Sequence, residues 1–384
     1  MPVLNKTGGR VDDATTAPSS PVGATEALLE VENMGKQFGK SWAVHESTFE
    51  VRRGEFFGLL GPSGCGKSTT LNIVAGFLDP TVGDVRINRN SVVGVPPHRR
   101  DTAMVFQDYA LFPHLSAADN IGFGLKLRRR GKRQIDERVA ELLELVSLSG
   151  KGAHLPSQLS GGEQQRVAVA RALAVEPEVI LLDEPLSNLD ARLRDHMRTE
   201  LKRILRASSS TVVFVTHDQG EAFSMCDRVA VMFDGRIQQL DVPSQIYGSP
   251  ATVPIAQFIG EANLFRCTVV ASDADALRLA LDDQPGRPVV AALPDIGAAV
   301  GEAGRILVRP ECLRIDSDLR GGGDLRAEVI AETYLGPVVQ YHLGAGDVSM
   351  SAWRFSHEGL FSVGESVRVT WRPEDARYYA GAGE

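Results

Sequence analysis

Gly61-Pro62-Ser63-Gly64-Cys65-Gly66-Lys67-Ser68-Thr69 decides how the rest of the chain is read. It follows the short apolar run Glu55-Phe56-Phe57-Gly58-Leu59-Leu60, which has the character of a buried parallel strand. The spacing is G-x-x-x-x-G-K-[ST], and a strand before it with a helix after it gives that spacing its meaning. Glycines let such a loop wrap phosphate groups with backbone N–H donors. Lys67 would bring positive charge to the β- and γ-phosphates, and Ser68 is placed to coordinate Mg²⁺. Residues Gly61 to Thr69 are therefore expected to bind a nucleoside triphosphate. Cys65 lies inside the loop, where a helix N-terminus could lower its pKa; as a small residue it can also be simple filler.

Working outward, apolar runs and helical periods alternate. Residues 27–50 read as strands around a glycine turn. Ile135, Val139, Leu142, Leu143 and Val146 follow helical spacing and predict an amphipathic helix over 133–148. Val179-Ile180-Leu181-Leu182 reads as a buried strand that ends in Asp183-Glu184-Pro185. Asp183 is placed to hold Mg²⁺ and Glu184 to accept a proton from an attacking water. Met197, Leu201, Ile204 and Leu205 mark another helix, and Thr211-Val212-Val213-Phe214-Val215 a strand ending near His217. Alternating strands and helices imply an α/β core with its chemistry at the carboxyl ends of the strands.

Between the loop and the acidic strand end lies Leu159-Ser160-Gly161-Gly162-Glu163-Gln164-Gln165-Arg166. Ser160 can cap a helix there, and Glu163 completes a capping box. Two bare glycines at a helix N-terminus let backbone N–H groups approach an anion. The following Val167-Ala168-Val169-Ala170-Arg171-Ala172-Leu173 is apolar on most sides, so this helix is expected to be buried.

At 384 residues the chain can hold two or three domains, and 43% hydrophobic with 23% charged residues is ordinary for a globular protein. A net charge of −8 gives no electrostatic reason to expect a nucleic-acid partner. No apolar run is long enough to span a bilayer. Residues 1–26 are rich in Thr, Ser, Ala, Gly and Pro and read as a disordered extension. The four cysteines show neither metal spacing nor a disulfide pattern. Past residue 262 short strand-like runs separated by Gly-, Pro- and Asp-rich turns read as a small all-β domain over 263–384, after a connector at 243–262.

In this order the motifs resemble the ATP-binding cassette (ABC) family. The resemblance implies a P-loop NTPase cassette over 27–242, with a helical subdomain at about 108–165, followed by an OB-like (TOBE) β domain. It implies an ATPase using ATP and Mg²⁺. Gln107 matches the family's Q-loop, expected at the Mg²⁺ and the water. Ser187-Asn188-Leu189-Asp190 resembles the D-loop, and His217 the switch histidine near the γ-phosphate. Phe38 resembles the aromatic that stacks on adenine; by residue type it is nearly as well read as a core Phe. Glu184, His217 and Gln107 are thus the expected catalytic set, and Ser68, Gln107 and Asp183 the expected metal set. Ser160, Gly161, Gly162, Glu163 and Asp190 are expected to reach the ATP of a second copy.

The resemblance further implies a homodimer on the cytoplasmic face of the inner membrane. Its partners would be integral-membrane permease subunits and, indirectly, a periplasmic or surface-anchored substrate-binding protein. Asn263-Leu264-Phe265 and Val308-Arg309-Pro310-Glu311 resemble the importer branch that includes maltose, polyamine, ferric-iron and sulfate systems. Phe106–His114 and Gly260–Asn263 look like polyamine-type subunits, Glu163 like iron-type ones, and Leu186–Asp190 like sugar- or phosphonate-type ones. Polyamine is the expected cargo, with ferric iron, phosphonate, sulfate and sugar as alternatives. A soluble non-transport ATPase and a ligand-sensing switch are the readings outside transport. Lys126, Arg128, Arg129, Arg130, Lys132 and Arg133 form a basic cluster, read as a solvated helix end or as a contact for anionic lipid headgroups.

Overall fold

The computed structural model describes residues 26–273, 277–282, 289–292, 298–318 and 325–381. The expected N-terminal extension lies outside the described residues except for Glu26. The chain opens with strands β1 (Ala27–Phe38) and β2 (Ser41–Arg52), then β3 (Phe56–Leu60), the phosphate loop and helix α1 (Lys67–Ala75). Next come β4 (Val82–Ile87), β5 (Asn90–Ser91) and β6 (Thr102–Val105). A helical stretch follows: α2 (Ala117–Leu127), α3 (Lys132–Leu145) and α4 (Gly161–Ala174). The core then resumes with β7 (Val179–Asp183), α5 (Ala191–Ala207), β8 (Thr211–Thr216), α6 (Gln219–Met225), β9 (Arg228–Phe233) and β10 (Arg236–Asp241).

The central sheet runs in the order β10-β9-β3-β8-β7-β6. All of its pairings are parallel except β10 on β9. Every residue of β3 and β8 is buried, because helices cover one face and a second sheet covers the other. That second sheet is antiparallel, in the order β2-β1-β4-β5. The central sheet thus separates two cores. Phe57 and Leu59 face Leu29, Val31 and Leu71, whereas Phe56 and Leu60 face Ile180, Phe214 and the helical subdomain. α3 ends three residues short of the expected 148; Val146 caps it and Ser147 takes φ +57°.

Residues 243–262, expected as a connector, fold into α7 (Pro243–Gly248) and α8 (Val253–Phe258). Ile246, Ile255 and Ile259 are fully buried in the cassette core, so this stretch is part of the cassette's packing. Beyond it β11 (Asn263–Ser272), β12 (Leu277–Leu281), β13 (Val289–Ala292), β14 (Ala303–Val308), β15 (Arg314–Asp316), β16 (Leu325–Tyr334), β17 (Val338–Ala345), β18 (Val348–Phe355), β19 (Ser366–Thr370) and β20 (Ala376–Ala380) complete the chain. They form two antiparallel sheets, β13-β12-β11-β14-β20 and β15-β19-β16-β17-β18. Alternate residues of both sheets, among them Phe265, Ile306, Val329, Tyr341 and Val367, share one core. Among the described residues no helix is long and apolar enough to cross a membrane.

Candidate active site

The phosphate loop leaves β3 at its carboxyl end and enters α1 through Gly66, whose φ of +104° suits glycine. A Cβ there would stand 2.5 Å from the Ala43 carbonyl oxygen, and one at Gly61 would stand 2.2 Å from that of Met232. The loop is therefore closed down on the neighbouring backbone in a way only glycine permits. Lys67 Nζ arches over it, donating to the carbonyl oxygens of Gly61 at 2.8 Å and Pro62 at 2.9 Å. Gly66 supplies no side-chain cap and the first turn of α1 has no acidic residue. The free N–H groups and partial positive charge of that helix end are thus left for an anionic ligand.

Cys65 fits the reading as a small filler residue and not the one with a lowered pKa. The thiol is buried, and burial outweighs the nearby Lys67 ammonium, so its pKa is raised rather than lowered. All four cysteines are free.

Ser68 Oγ donates to Asp183 Oδ1 at 3.0 Å. The pair joins the first turn of α1 to the end of β7 and presents hard oxygen donors of the kind Mg²⁺ takes, with phosphates and waters completing its shell. Burial raises the pKa of Asp183, and the adjacent Glu184 pushes the same way against the Ser68 hydrogen bond. Glu184 has a left-handed φ of +44°, a costly conformation for a non-glycine residue. Its N–H donates to Val215 O at 3.0 Å, and its carbonyl accepts from Ser187 Oγ at 2.8 Å. This strained turn points its carboxylate at His217: Nδ1 lies 3.0 Å from Glu184 Oε2. In the pairing of a carboxylate with an Nδ1–H imidazole the nitrogen donates and the carboxylate accepts.

Gln107 is exposed after β6, and its carbonyl accepts from Asn188 Nδ2 at 2.9 Å. The expected Q-loop and D-loop are therefore tied together. Asp190 caps α5, accepting from Leu193 N–H at 3.0 Å. Downstream of Gln107, Tyr109 and Ala110 both take positive φ, and Arg171 of α4 donates to their carbonyls at 2.9 and 2.7 Å. Arg171 went unassigned in the sequence; its one signal was a charge set inside the otherwise apolar stretch 167–173.

Ser160 and Gly161 are exposed at the start of α4, and Ser160 N–H donates to Glu163 Oε2 at 2.9 Å. Glu163 also pairs with Lys151, and the two bonds hold its pKa down at about 2. Gly162 lies against α5, where a Cβ would stand 3.1 Å from the Met197 sulfur. The described contacts of these four residues are with Lys151 and α5 and its approach, not with the phosphate loop of their own chain.

Phe38 is 50% exposed, which removes the reading as a core residue; Lys36 Nζ stands 5.3 Å from its ring centroid. The basic cluster lies at the end of α2 and the start of α3, all of it exposed. Lys126 pairs with Asp119 and Arg133 with Glu137, each at 2.7 Å, and Arg128 donates to Val175 O. These bonds fit a solvated helix junction.

Comparisons with known proteins find a match in each part of the chain. The ABC transporter family model matches residues 44–187, and the TOBE domain model matches residues 306–378. The spermidine/putrescine import ATP-binding protein PotA 2 of Pseudomonas aeruginosa is 44% identical over 356 residues, covering 91% of this chain and 97% of that protein. The spermidine/putrescine import ATP-binding protein PotA of Thermobifida fusca is 43% identical, covering 96% of this chain and 100% of its own. Among solved structures, a dimeric ATP-binding cassette in a post-hydrolysis state bound to ADP and Pi superposes with a TM-score of 0.50 at 32% identity. It covers 56% of this chain and 99% of its own length.

Proposed function

This chain belongs to the ABC transporter family of ATP-binding subunits, and from that premise we propose that it hydrolyses ATP to drive the import of polyamines of the spermidine and putrescine type. The observation that carries the cargo is the length of the match: relatives with that stated role are similar through cassette and β domain alike.

The chemistry follows from the geometry. The phosphate loop and Lys67 hold the triphosphate. Ser68 and Asp183, joined by Gln107, would hold Mg²⁺, which when bound supplies positive charge to the β- and γ-phosphate oxygens. Glu184 accepts the proton of the attacking water, and His217 orients that carboxylate through Nδ1. Phe38 offers a ring for the adenine. Fixed N–H donors and Lys67 stabilise charge on the phosphoryl group as it transfers. The exposed Ser160–Gly161 edge, backed by the buried Gly162, suits the ATP of a second copy, so two chains would enclose two nucleotides. The dimeric state of the superposed cassette supports that arrangement. The dimer would sit on the cytoplasmic face of the membrane against permease subunits, supplied with cargo by a substrate-binding protein outside. No nucleic acid takes part.

The test is uptake of labelled spermidine into vesicles carrying this chain with its permease. ATP-dependent uptake that disappears in Lys67→Ala is expected. Uptake of ferric iron or a sugar in place of spermidine would overturn the cargo assignment.

A further inference from the structure

Gln219 lies two residues beyond His217, in the first turn of α6. Its side chain reads one turn of another segment with both ends of its amide. Nε2 donates to the Phe258 carbonyl, and Oε1 accepts from Gly260 N–H at 2.9 Å. Phe258 and Gly260 belong to the stretch that leaves the cassette and enters β11. Gly260 takes φ +74°, so this turn depends on glycine.

The β domain grips the same stretch from the other side. Arg309, buried at the end of β14, donates through Nη1 to Ala256 O at 2.9 Å and Glu261 O at 3.0 Å. Its Nη2 donates to Tyr247 O at 3.2 Å, and its guanidinium lies 4.4 Å from the Tyr247 ring centroid. The Tyr247 hydroxyl in turn donates to Glu311 at 2.5 Å, and Gln340 Nε2 donates to the Glu261 carboxylate at 3.0 Å. Short directional contacts thus run without a gap from the β domain to the residue beside the cap of α6.

The loop around His217 does not need Gln219 for its own shape. Thr216 Oγ1 donates to Glu221 at 2.6 Å, Asp218 N–H donates to Thr216 Oγ1 at 3.0 Å, and Asp218 caps Glu221 N–H at 2.9 Å. Ala222 and Met225 anchor α6 in the core. The Gln219 bonds add something else, a fixed register between this loop and the connector.

We propose that Gln219 is a positioning residue for hydrolysis, locking the His217 loop to the connector so that a shift of the C-terminal β domain, passed on through Arg309, alters the fit of His217 against Glu184. The inference rests on the ATPase reading above. It gives the β domain a physical route to the chemistry that involves no nucleotide contact of its own.

The test uses the full chain assembled with its permease and compares the parent with Gln219→Ala, Gln219→Glu, Arg309→Lys and the double variant Gln219→Ala/Arg309→Lys. Gln219→Ala is expected to lower kcat about tenfold while the KM for ATP stays within about twofold, because the phosphate loop is untouched. Gln219→Glu keeps the acceptor for Gly260 but loses the donor to Phe258, so its kcat should fall between the two. It carries the same comparison if the alanine variant fails to fold. The double variant should be about as slow as the slower single one, since both break one link. A kcat for Gln219→Ala or Gln219→Glu equal to the parent's, or losses that multiply in the double variant, would overturn the proposal. Glu184→Gln is measured alongside. If it is inactive and the parent active, the site reading stands and any failure belongs to Gln219 alone; if it turns over, the site reading itself is wrong.

Discussion

Glu184 shows how a single residue carries both strain and chemistry. A left-handed φ on a glutamate costs about 1–3 kcal/mol and persists only where neighbours enforce it. Here the bonds to Val215 and Ser187 do so, and the result is a carboxylate fixed against His217. The residue types and spacing in the sequence pointed to Glu184 and His217, but nothing in them announced the 3.0 Å pairing or the backbone strain. Phe38 shows the converse. By type it fitted two readings, and only its exposure separates them. Base stacking on an aromatic is worth about 1–3 kcal/mol, so Phe38→Ala should raise the KM for ATP about 5- to 150-fold with kcat nearly unchanged. Steady-state ATPase kinetics measure both, and an unchanged KM would remove Phe38 from the site. At Cys65 burial wins over the helix end and Lys67, so alkylation at neutral pH is expected to be slow in the folded chain. Mass spectrometry after brief treatment with iodoacetamide checks it; rapid complete labelling would contradict the buried, neutral thiol.

At the scale of elements, α4 has two jobs that meet at its ends. Its N-terminus carries the exposed Ser160–Gly161 edge, held by Glu163, and its middle sends Arg171 to the turn after Gln107. Glu163 titrates at about 2 because Lys151 and the Ser160 N–H favour its charged form. Its folded pKa lies below its ordinary value of 4.5, so this contribution is full above about pH 5 and is lost as pH falls toward 2. Lys151→Met should move the Glu163 titration back up toward 4.5, read by NMR on the side-chain carboxyl. An unmoved pKa would mean the helix end alone holds the charge. The capping box was legible as S-x-x-E in the sequence, since it is a local pattern. Lys151 was not, because a bond across 12 positions through an irregular loop leaves no periodic trace. The same reason hid α7 and α8. Three prolines made 243–262 look like a linker, yet two of them, Pro243 and Pro254, sit in first helical turns, where a missing N–H costs nothing.

For the whole molecule, the alternation of apolar runs with helical periods made the α/β core legible, and turn-rich short strands made the β domain so. The order β10-β9-β3-β8-β7-β6 was not, because pairing between strands far apart in the chain depends on packing rather than local pattern. Nor could the sequence show how the halves join. That rests on contacts such as those of Arg309 and Gln219, whose partners lie too far along the chain to leave a local pattern. Within one chain Lys67, Ser68, Asp183, Glu184 and His217 converge, while Ser160 and Gly161 are exposed at a different edge. The central claim is that a second copy supplies that edge to the bound ATP. Glu184→Gln, which should bind ATP but lose about a hundredfold or more in turnover, tests it directly in a sedimentation run at saturating ATP and Mg²⁺. The expected result is a dimer holding two ATP molecules, dispersed by adding Ser160→Arg. A monomer holding ATP under those conditions, or turnover at the parent rate, would contradict it.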